Sequence, residues 1–339
     1  MGVRITAQTP GAADALVPEQ FIPGEPGPKQ VLVRTTAVGV NFIDTYFRSG
    51  TYSTSFPYTP GTEGSGTVIA CGSEVTEFSN GDTIMWNAAP HSYATHVLVP
   101  SDNAIRIPAH IDPVTAAAIP LQGLTAHYLA TSAYHISPDD VVLIHAGAGG
   151  VGLLLTQVAK ILGASVITTV STSEKEELSL NNGADRVIRY DQLTDLRAQL
   201  PALVRELSDE LRSSDALDPR GSGVDAVFDG VGRTTFDASL ASLRVRGTLV
   251  LFGGSSGQVE PFDLQRLNAS GSISVVRPSL GHYILNRQEL ETRSADLLTW
   301  LGQGTLQFRV GATFPLNQAA AAHIALESRS TTGKILLIP

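Results

Sequence analysis

Short runs of β-branched and other apolar residues, separated by glycine and proline, dominate the chain before Pro113. Three of these runs predict strands at residues 31–40, 64–72 and 93–100, and the segment 21–30, rich in proline and glycine, predicts a turn. Short strands at irregular spacing are typical of a small β-barrel.

The pattern changes after Pro113. Residues 113–134 are rich in alanine with helical spacing, and the apolar run Val141–Ala146 then predicts a buried strand. Strands and helices alternate from there through residue 276. This alternation predicts an α/β fold, a doubly wound parallel sheet covered by helices on both faces.

The last part of the chain combines a helical pattern at 287–301 with strand-like runs at 308–316 and 333–339. The final run could close the first barrel. We therefore predict a barrel domain at 1–124 to which residues 279–339 return, and a second domain at 125–278. The polar stretch 208–223, with its Ser, Asp, Pro and Gly, predicts an exposed loop or helix end.

Composition supports two globular domains and limits the function. A chain of 339 residues exceeds what one hydrophobic core usually organises. The net charge of −9 disfavours general affinity for nucleic acid or an anionic membrane. Cys71 is the only cysteine, so an intrachain disulfide and a zinc site of several thiolates are excluded. The sequence has neither a signal-peptide pattern nor an apolar run long enough for a membrane span, and we expect a cytoplasmic protein.

A glycine fingerprint follows the strand that ends at Ala146. Gly147, Gly149, Gly150 and Gly152 lie between this strand and an amphipathic helix. In that context the fingerprint indicates a dinucleotide site, since glycine allows the tight turn, the approach of the pyrophosphate and the packing of helix on strand.

The next strand indicates which dinucleotide binds. NAD sites usually carry an acidic residue at its tip, whereas this chain has the segment Ser171–Lys175 there. The hydroxyl of Ser171 and the ammonium of Lys175 suit a 2′-phosphate. Tyr190, after the following strand, could add a hydroxyl or a face for adenine. The sequence therefore predicts NADPH.

Several segments together resemble the zeta-crystallin-like quinone oxidoreductases of the medium-chain dehydrogenase/reductase superfamily. They are VGVNFIDTYFRSGTY, GTEGSG, AGAGGVG, FGGSSG, VRPSL and ESRSTTGKILLIP, which span both predicted domains in order. The resemblance implies a GroES-like β-barrel catalytic domain plus a Rossmann domain, with the active site in the cleft between them, and a homodimer. The polar insert at 213–223 is longer than we would expect from this resemblance.

The resemblance also implies further cofactor contacts at matching positions. These are Phe42, Ile43, Asp44, Thr45, Tyr128, Val151, Val231, Phe252, Gly253, Gly254, Ser255, Arg277, Pro278, Ser279 and Arg329.

Zinc is not expected. Zinc-dependent relatives hold the catalytic metal with a cysteine and a histidine at positions that carry Asn41 and Thr62 here. An amide and a hydroxyl are poor substitutes for thiolate and imidazole at a tetrahedral zinc site. We expect His91 and His96 to be surface or core residues, because no carboxylate or cysteine is near them in sequence.

Reduction of a quinone or enone needs less help from a Lewis acid than alcohol oxidation, because the acceptor delocalises the incoming electron pair. We place Asn41, Tyr46, Tyr52 and Thr125 near the reacting ring. Asn41 would orient ligand or cofactor. The two tyrosines would be hydrogen-bond or proton donors and walls for a flat substrate, or else simply core residues. Water could supply the proton.

Two alternatives to quinone reduction stay open from the sequence. One is reduction of the alkene in α,β-unsaturated carbonyls, which the same fold and cofactor could perform. The other is a crystallin-like or RNA-binding role without catalysis, which the acidic charge and the intact fingerprint disfavour.

Overall fold

The computed structural model describes residues 1–212, 219–328 and 331–339. Arg329 and positions 213–218 of the polar insert lie outside this part. The strands of the described part are β1 (Gly2–Thr6), β2 (Val17–Phe21), β3 (Gln30–Val40), β4 (Gly64–Cys71), β5 (Thr83–Trp86), β6 (His96–Pro100), β7 (Ala104–Arg106), β8 (Val141–Ile144), β9 (Ser165–Val170), β10 (Arg186–Arg189), β11 (Val224–Asp229), β12 (Leu243–Leu251), β13 (Ser274–Val276), β14 (Val310–Pro315) and β15 (Lys334–Ile338). The helices are α1 (Phe42–Ser49), α2 (Pro113–Ala116), α3 (Pro120–Tyr128), α4 (Gly150–Ile161), α5 (Ser173–Asn181), α6 (Leu196–Leu211), α7 (Phe236–Ser242), α8 (Gln265–Ala269), α9 (Arg287–Gly302) and α10 (Ala319–Glu327).

The chain divides into two compact units. The first unit contains Met1–Leu124 and Ile284–Pro339, and the second contains Thr125–Tyr283. The chain thus enters the second unit at Thr125 and returns to the first at Ile284, where the sequence had placed the return at residue 279.

The first unit is built on a seven-stranded sheet in the order β14-β15-β3-β4-β5-β7, with β6 also paired to β3. The long strand β3 organises this sheet. It pairs with β4 on one edge, and on the other with β6 near its start and with β15 near its end. The C-terminal strand β15 is therefore an integral part of the first unit. This brings Lys334 close to the end of β3.

The second unit has six parallel strands in the order β10-β9-β8-β11-β12-β13. Numbered from β8, this is the order 3-2-1-4-5-6 of the Rossmann fold. All residues of β8 and β11 are buried, as expected for central strands of a parallel sheet. The predicted Rossmann architecture is confirmed.

The sequence pattern did not predict helices α6 and α10. Helix α6 contains Pro201 in its interior, and a proline at such a position normally breaks a helix. Helix α10 is rich in alanine and buries Ala319, Ala322 and His323 on one face. No helix among the described residues is both long and apolar enough to cross a membrane.

Candidate functional site

The glycine fingerprint forms the turn between β8 and α4. A Cβ atom on Gly147 would lie 2.5 Å from Cβ of Thr168, and one on Gly152 would overlap the carbonyl oxygen of Ala146. Gly149 precedes the helix as its N-cap, and a Cβ there would meet only the Ala146 oxygen, at 3.2 Å. The first turn of α4 is therefore tightly packed on the strand side, while its first N–H groups, which have no partner within the helix, suit an anion.

The tip of β9 brings a hydroxyl and a cation together. Nζ of Lys175 donates to Oγ of Ser171 at 3.3 Å, and Thr172 caps α5 by accepting from the N–H of Lys175. Glu174 lies in the first turn of the same helix and is exposed. Sequence reasoning missed a further cation here. Arg189, the last residue of β10, lies opposite Val170 of β9, and its guanidinium pairs with the Asp191 carboxylate at 2.5 Å.

Tyr190 has its hydroxyl turned into the protein. Its Oη lies 2.6 Å from Nδ1 of His145 and also accepts from Thr169. Burial raises the pKa of this phenol well above its usual range. The hydroxyl is therefore committed to internal bonds, which leaves the ring for contact with a ligand.

The other predicted residues of the second unit follow the carboxyl ends of further strands. Val231 follows β11 and donates its N–H to Asp229 at 2.8 Å. Phe252, Gly253, Gly254 and Ser255 follow β12, and Arg277, Pro278 and Ser279 follow β13. Ligands of open α/β sheets bind outside the carboxyl ends of the strands. Tyr128, on α3 with Thr125, stacks on Tyr283 with ring centroids 4.6 Å apart.

In the first unit, α1 begins directly after Asn41 at the end of β3. The backbone N–H of Asn41 donates to Oδ2 of Asp44 at 2.9 Å, which fixes the start of the helix. Asp44 and Thr45 are buried, whereas Phe42 and Tyr46 are half-buried and Ile43 is exposed. The rings of Tyr46 and Tyr52 lie 5.3 Å apart, edge to face. The two tyrosines predicted from sequence are therefore neighbours.

The Asn41 side chain is held by a buried ion pair. Its Oδ1 accepts from Nζ of Lys334 at 2.7 Å, and its Nδ2 donates to Oε1 of Glu63 at 2.6 Å. Lys334 also contacts the same Glu63 oxygen, and both side chains are at most 2% exposed. Because lysine only donates and a carboxylate accepts, the orientation of the amide is determined. Glu63 uses one of the two N–H donors of the amide.

A second polar cluster lies behind α1. The Tyr93 hydroxyl joins Oδ2 of Asp44 (3.1 Å) to Nε2 of His323 (3.0 Å), and Arg48 donates to Nδ1 of His323 at 3.0 Å. Arg48 also pairs with Glu327 at 2.8 Å. Burial raises the pKa of Asp44 to about 7, and burial together with Arg48 lowers the pKa of His323 to about 3.

Within the described residues, no group of three or more His, Cys, Asp or Glu side chains is placed to hold a metal ion. His91 lies near the carbonyl of Thr59, at 3.4 Å, and His96 lies 3.0 Å from the hydroxyl of Thr95.

Sequence reasoning missed the partners that hold the predicted residues. Glu63 and Lys334 hold Asn41, His145 contacts Tyr190, and Asp229 accepts from Val231. Arg48 and His323 reach Asp44 only through Tyr93, and all six partners are at most 3% exposed. Three of them gave a signal, because His145, Asp229 and Lys334 each lie at an end of a run of apolar, buried strand residues. An ionisable residue in such a place requires a polar partner.

Two family models match successive parts of the chain. Residues 27–138 match the alcohol dehydrogenase GroES-like domain, and residues 150–300 match the zinc-binding dehydrogenase family. A GroES-like domain and a Rossmann domain in one chain define a medium-chain dehydrogenase/reductase.

Full-length relatives narrow this class. A quinone oxidoreductase of Pseudomonas aeruginosa is 38% identical over 100% of both chains. The crystal structure of Escherichia coli quinone oxidoreductase complexed with NADPH has a TM-score of 0.92 at 39% identity, covering 99% of this chain and 100% of that one. A 2-haloacrylate reductase of Burkholderia is 37% identical over 97% of this chain and 96% of its own length. The chain belongs to the quinone oxidoreductase family.

Proposed function

We propose that this protein is an NADPH-dependent oxidoreductase that reduces quinones by hydride transfer without zinc. The observation that carries the proposal is the pair of Ser171 and Lys175 at the tip of β9, at 3.3 Å, in a member of the quinone oxidoreductase family. The relative from Escherichia coli, solved with NADPH, supports the same cofactor.

The residues present fit this cofactor. The first N–H groups of α4 would hold the pyrophosphate, with Gly149, Gly150 and Val151 at the closest approach. Ser171 and Lys175 would hold the 2′-phosphate. The ring of Tyr190 would face the adenine, and the loops with Val231, Phe252–Ser255 and Arg277–Ser279 would complete the site together with Tyr128. Bound NADPH supplies the hydride.

The residues of α1 and the loop after it would receive the acceptor. Tyr46 and Tyr52 offer two aromatic faces and two hydroxyls, which can hold a flat ring and donate hydrogen bonds to its developing oxyanion. Asn41 offers one N–H in a fixed direction, since Lys334 and Glu63 hold the rest of the amide. We assign Thr125 to the same task, and water to the delivery of the proton.

Two features support chemistry without zinc although one matching family model is described as zinc-binding. Asn41 and Thr62 are poor zinc ligands. The Lys334 ammonium lies 2.7 Å from Oδ1 of Asn41, where its charge would oppose a divalent cation at the same oxygen.

Three further assignments belong to the proposal. They are the homodimer implied by the resemblance, a cytoplasmic location, and a contact of Arg329 with the cofactor. A crystallin-like or RNA-binding role is not favoured, given the intact fingerprint and the net charge of −9.

A steady-state screen tests the reaction. Benzoquinones, naphthoquinones and α,β-unsaturated carbonyls, haloacrylate included, are compared by kcat/KM with NADPH and with NADH as donor. We expect quinones with NADPH to give the highest values. Enones or haloacrylate better by orders of magnitude would replace quinone reduction by alkene reduction.

The Lys175→Ala variant tests the cofactor assignment. It removes a charge-assisted phosphate contact worth roughly 1.5–3 kcal/mol, so KM for NADPH should rise about 10- to 100-fold while KM for NADH stays nearly unchanged. Lys29→Ala, at a side chain 77% exposed on the first unit, is the matched control and should change neither value. Equal effects of Lys175→Ala on both dinucleotides would contradict the placement of this lysine.

A further inference from the structure

Five side chains of the second unit form a buried hydrogen-bonded layer, which we call the His145 layer. It consists of Thr169, Tyr190, His145, Ser239 and Asp229. Tyr190, Thr169, His145 and Asp229 lie at the carboxyl ends of the adjacent strands β10, β9, β8 and β11, respectively. Ser239 lies on α7. His145 is 1% exposed, and Thr169, Ser239 and Asp229 are fully buried.

The contacts of the layer determine which nitrogen of His145 carries the proton. Ser239 donates its only hydroxyl proton to Oδ2 of Asp229 at 2.8 Å. Nε2 of His145, 2.9 Å from the Ser239 oxygen, must therefore carry the proton and donate it. Nδ1 is then the acceptor, with the hydroxyl of Tyr190 at 2.6 Å and that of Thr169 at 2.9 Å, and Thr169 also donates to the Tyr190 oxygen. The ring is held as the neutral Nε2–H tautomer, and burial, which lowers the pKa of His145, favours the neutral form.

Each end of the layer supports a loop that we assign to the dinucleotide. At one end is Tyr190, which we assign to the adenine. Thr169, at the same end, lies two positions before Ser171, which we assign to the 2′-phosphate. At the other end Asp229 accepts the N–H of Val231 at 2.8 Å and of Gly232 at 2.9 Å. His145 connects the two ends, because β8 lies between β9 and β11 in the sheet.

We infer that His145 is a positioning residue for NADPH. Through its two ring nitrogens it fixes the position of the segment 171–175, which we assign to the 2′-phosphate, relative to the turn at Val231 and Gly232. This inference rests on the proposed function. Only Ala146 separates His145 from Gly147, the first glycine of the fingerprint, so a change in its ring orientation would reach both loops and the turn itself. A site held by a layer of this kind pays little reorganisation when its ligand binds.

Three substitutions separate the roles of the two nitrogens. His145→Leu removes the contacts of both ring nitrogens. His145→Asn keeps an acceptor near Nδ1 toward Tyr190, and His145→Gln keeps a donor near Nε2 toward Ser239. The Kd for NADPH is measured by fluorescence titration, together with KM and kcat. We expect His145→Leu to raise Kd about tenfold, the loss expected for one to two hydrogen bonds, with kcat changed less than about threefold. His145→Asn and His145→Gln should each recover part of the affinity.

Tyr134→Phe is the matched control for a merely structural effect. Tyr134 donates to Asp140 at 3.0 Å at the other end of β8, so this variant loses one hydrogen bond of the same unit. It should lower Tm and leave the Kd for NADPH unchanged. Ser239→Ala removes the hydroxyl that connects His145 to Asp229. This variant tests the inference if His145→Leu does not fold. It is expected to raise Kd in the same direction.

Unchanged Kd values in the folded His145→Leu and Ser239→Ala variants would overturn the inference, and so would a loss of kcat at unchanged Kd. The titration of the wild-type protein separates the two proposals. A wild type that does not bind NADPH refutes the proposed function and the inference with it, whereas a wild type that binds as tightly as its variants refutes only the role of His145.

Discussion

Asp44 should make the stability of this protein depend on pH in an unusual direction. Its carboxyl group is 1% exposed, and burial raises its pKa from 3.8 to about 7. The N–H of Asn41, the Tyr93 hydroxyl and the Lys334 ammonium favour the charged form, while Glu63 opposes it. Burial outweighs the favourable contacts. The folded protein therefore holds a proton on Asp44 over a range in which the unfolded chain has lost it.

The sign and size follow from proton linkage. Below pH 3.8 both states are protonated and the stabilisation from Asp44 is complete. Between there and about pH 7 the folded state binds more protons, so the free energy of unfolding falls as pH rises, by about 1.4 kcal/mol per pH unit. The whole loss is about 4 kcal/mol, of which about 3 kcal/mol falls above pH 5.

The Asp44→Asn variant removes this titration and keeps the size and the acceptor oxygen of the side chain. Urea unfolding at pH 5 and pH 8 should show the variant gaining on wild type by about 3 kcal/mol between the two conditions. His323, whose pKa is lowered to about 3, is present in both proteins, so its own titration cancels in the difference. Asp14→Asn, at an exposed position, is the control and should give no such trend. A constant difference across this pH range, or a gain at pH 5 instead, would refute the reasoning.

Two further outcomes are expected. Gly39→Ala should cost about 3–5 kcal/mol in urea unfolding, because the new Cβ would overlap the Glu63 carboxylate and lie 2.8 Å from Cε of Lys334, breaking a buried ion pair. Gly281→Ala, where a Cβ meets nothing within 4 Å, is its control, and equal stability of the two variants would contradict this account. Treatment with a chelator should leave the reductase rate intact, with zinc below one equivalent in metal analysis of the purified protein. A rate that falls with chelator and returns with zinc would overturn the proposal of zinc-free chemistry.

The sequence was informative where the relevant pattern is local. The fingerprint and its flanking strand and helix lie within a few turns of chain, so residue order alone predicts the turn between β8 and α4. The alternation of strands and helices likewise predicted the parallel sheet of the second unit. The same local reading missed α10, since its alanine-rich sequence has little contrast between its two faces.

The arrangement of the first unit could not be predicted in the same way because its contacts are distant in sequence. Lys334 lies 293 positions from Asn41, and His323 lies 275 positions from Arg48. Asn41 was expected to face a ligand, and nothing nearby in the chain indicates that its amide is held by two buried charges. Only the return of β15 to the end of β3 creates this environment.

The position of an ionisable residue at the end of an apolar strand does, however, predict that it has a buried polar partner. A lysine that begins an apolar strand, or a histidine and an aspartate that end one, cannot be buried without hydrogen bonds, because an unpaired polar group costs more than the strand gains from burying it. Lys334, His145 and Asp229 could therefore have been marked from the sequence as members of polar clusters. The identity of each partner depends on strand order. Because β8 lies between β9 and β11, His145 contacts Thr169 on one side. On the other side it is connected to Asp229 through Ser239. Once the order 3-2-1-4-5-6 is predicted, the ends of these strands are neighbours, and the central members of the layer follow from the sequence as well.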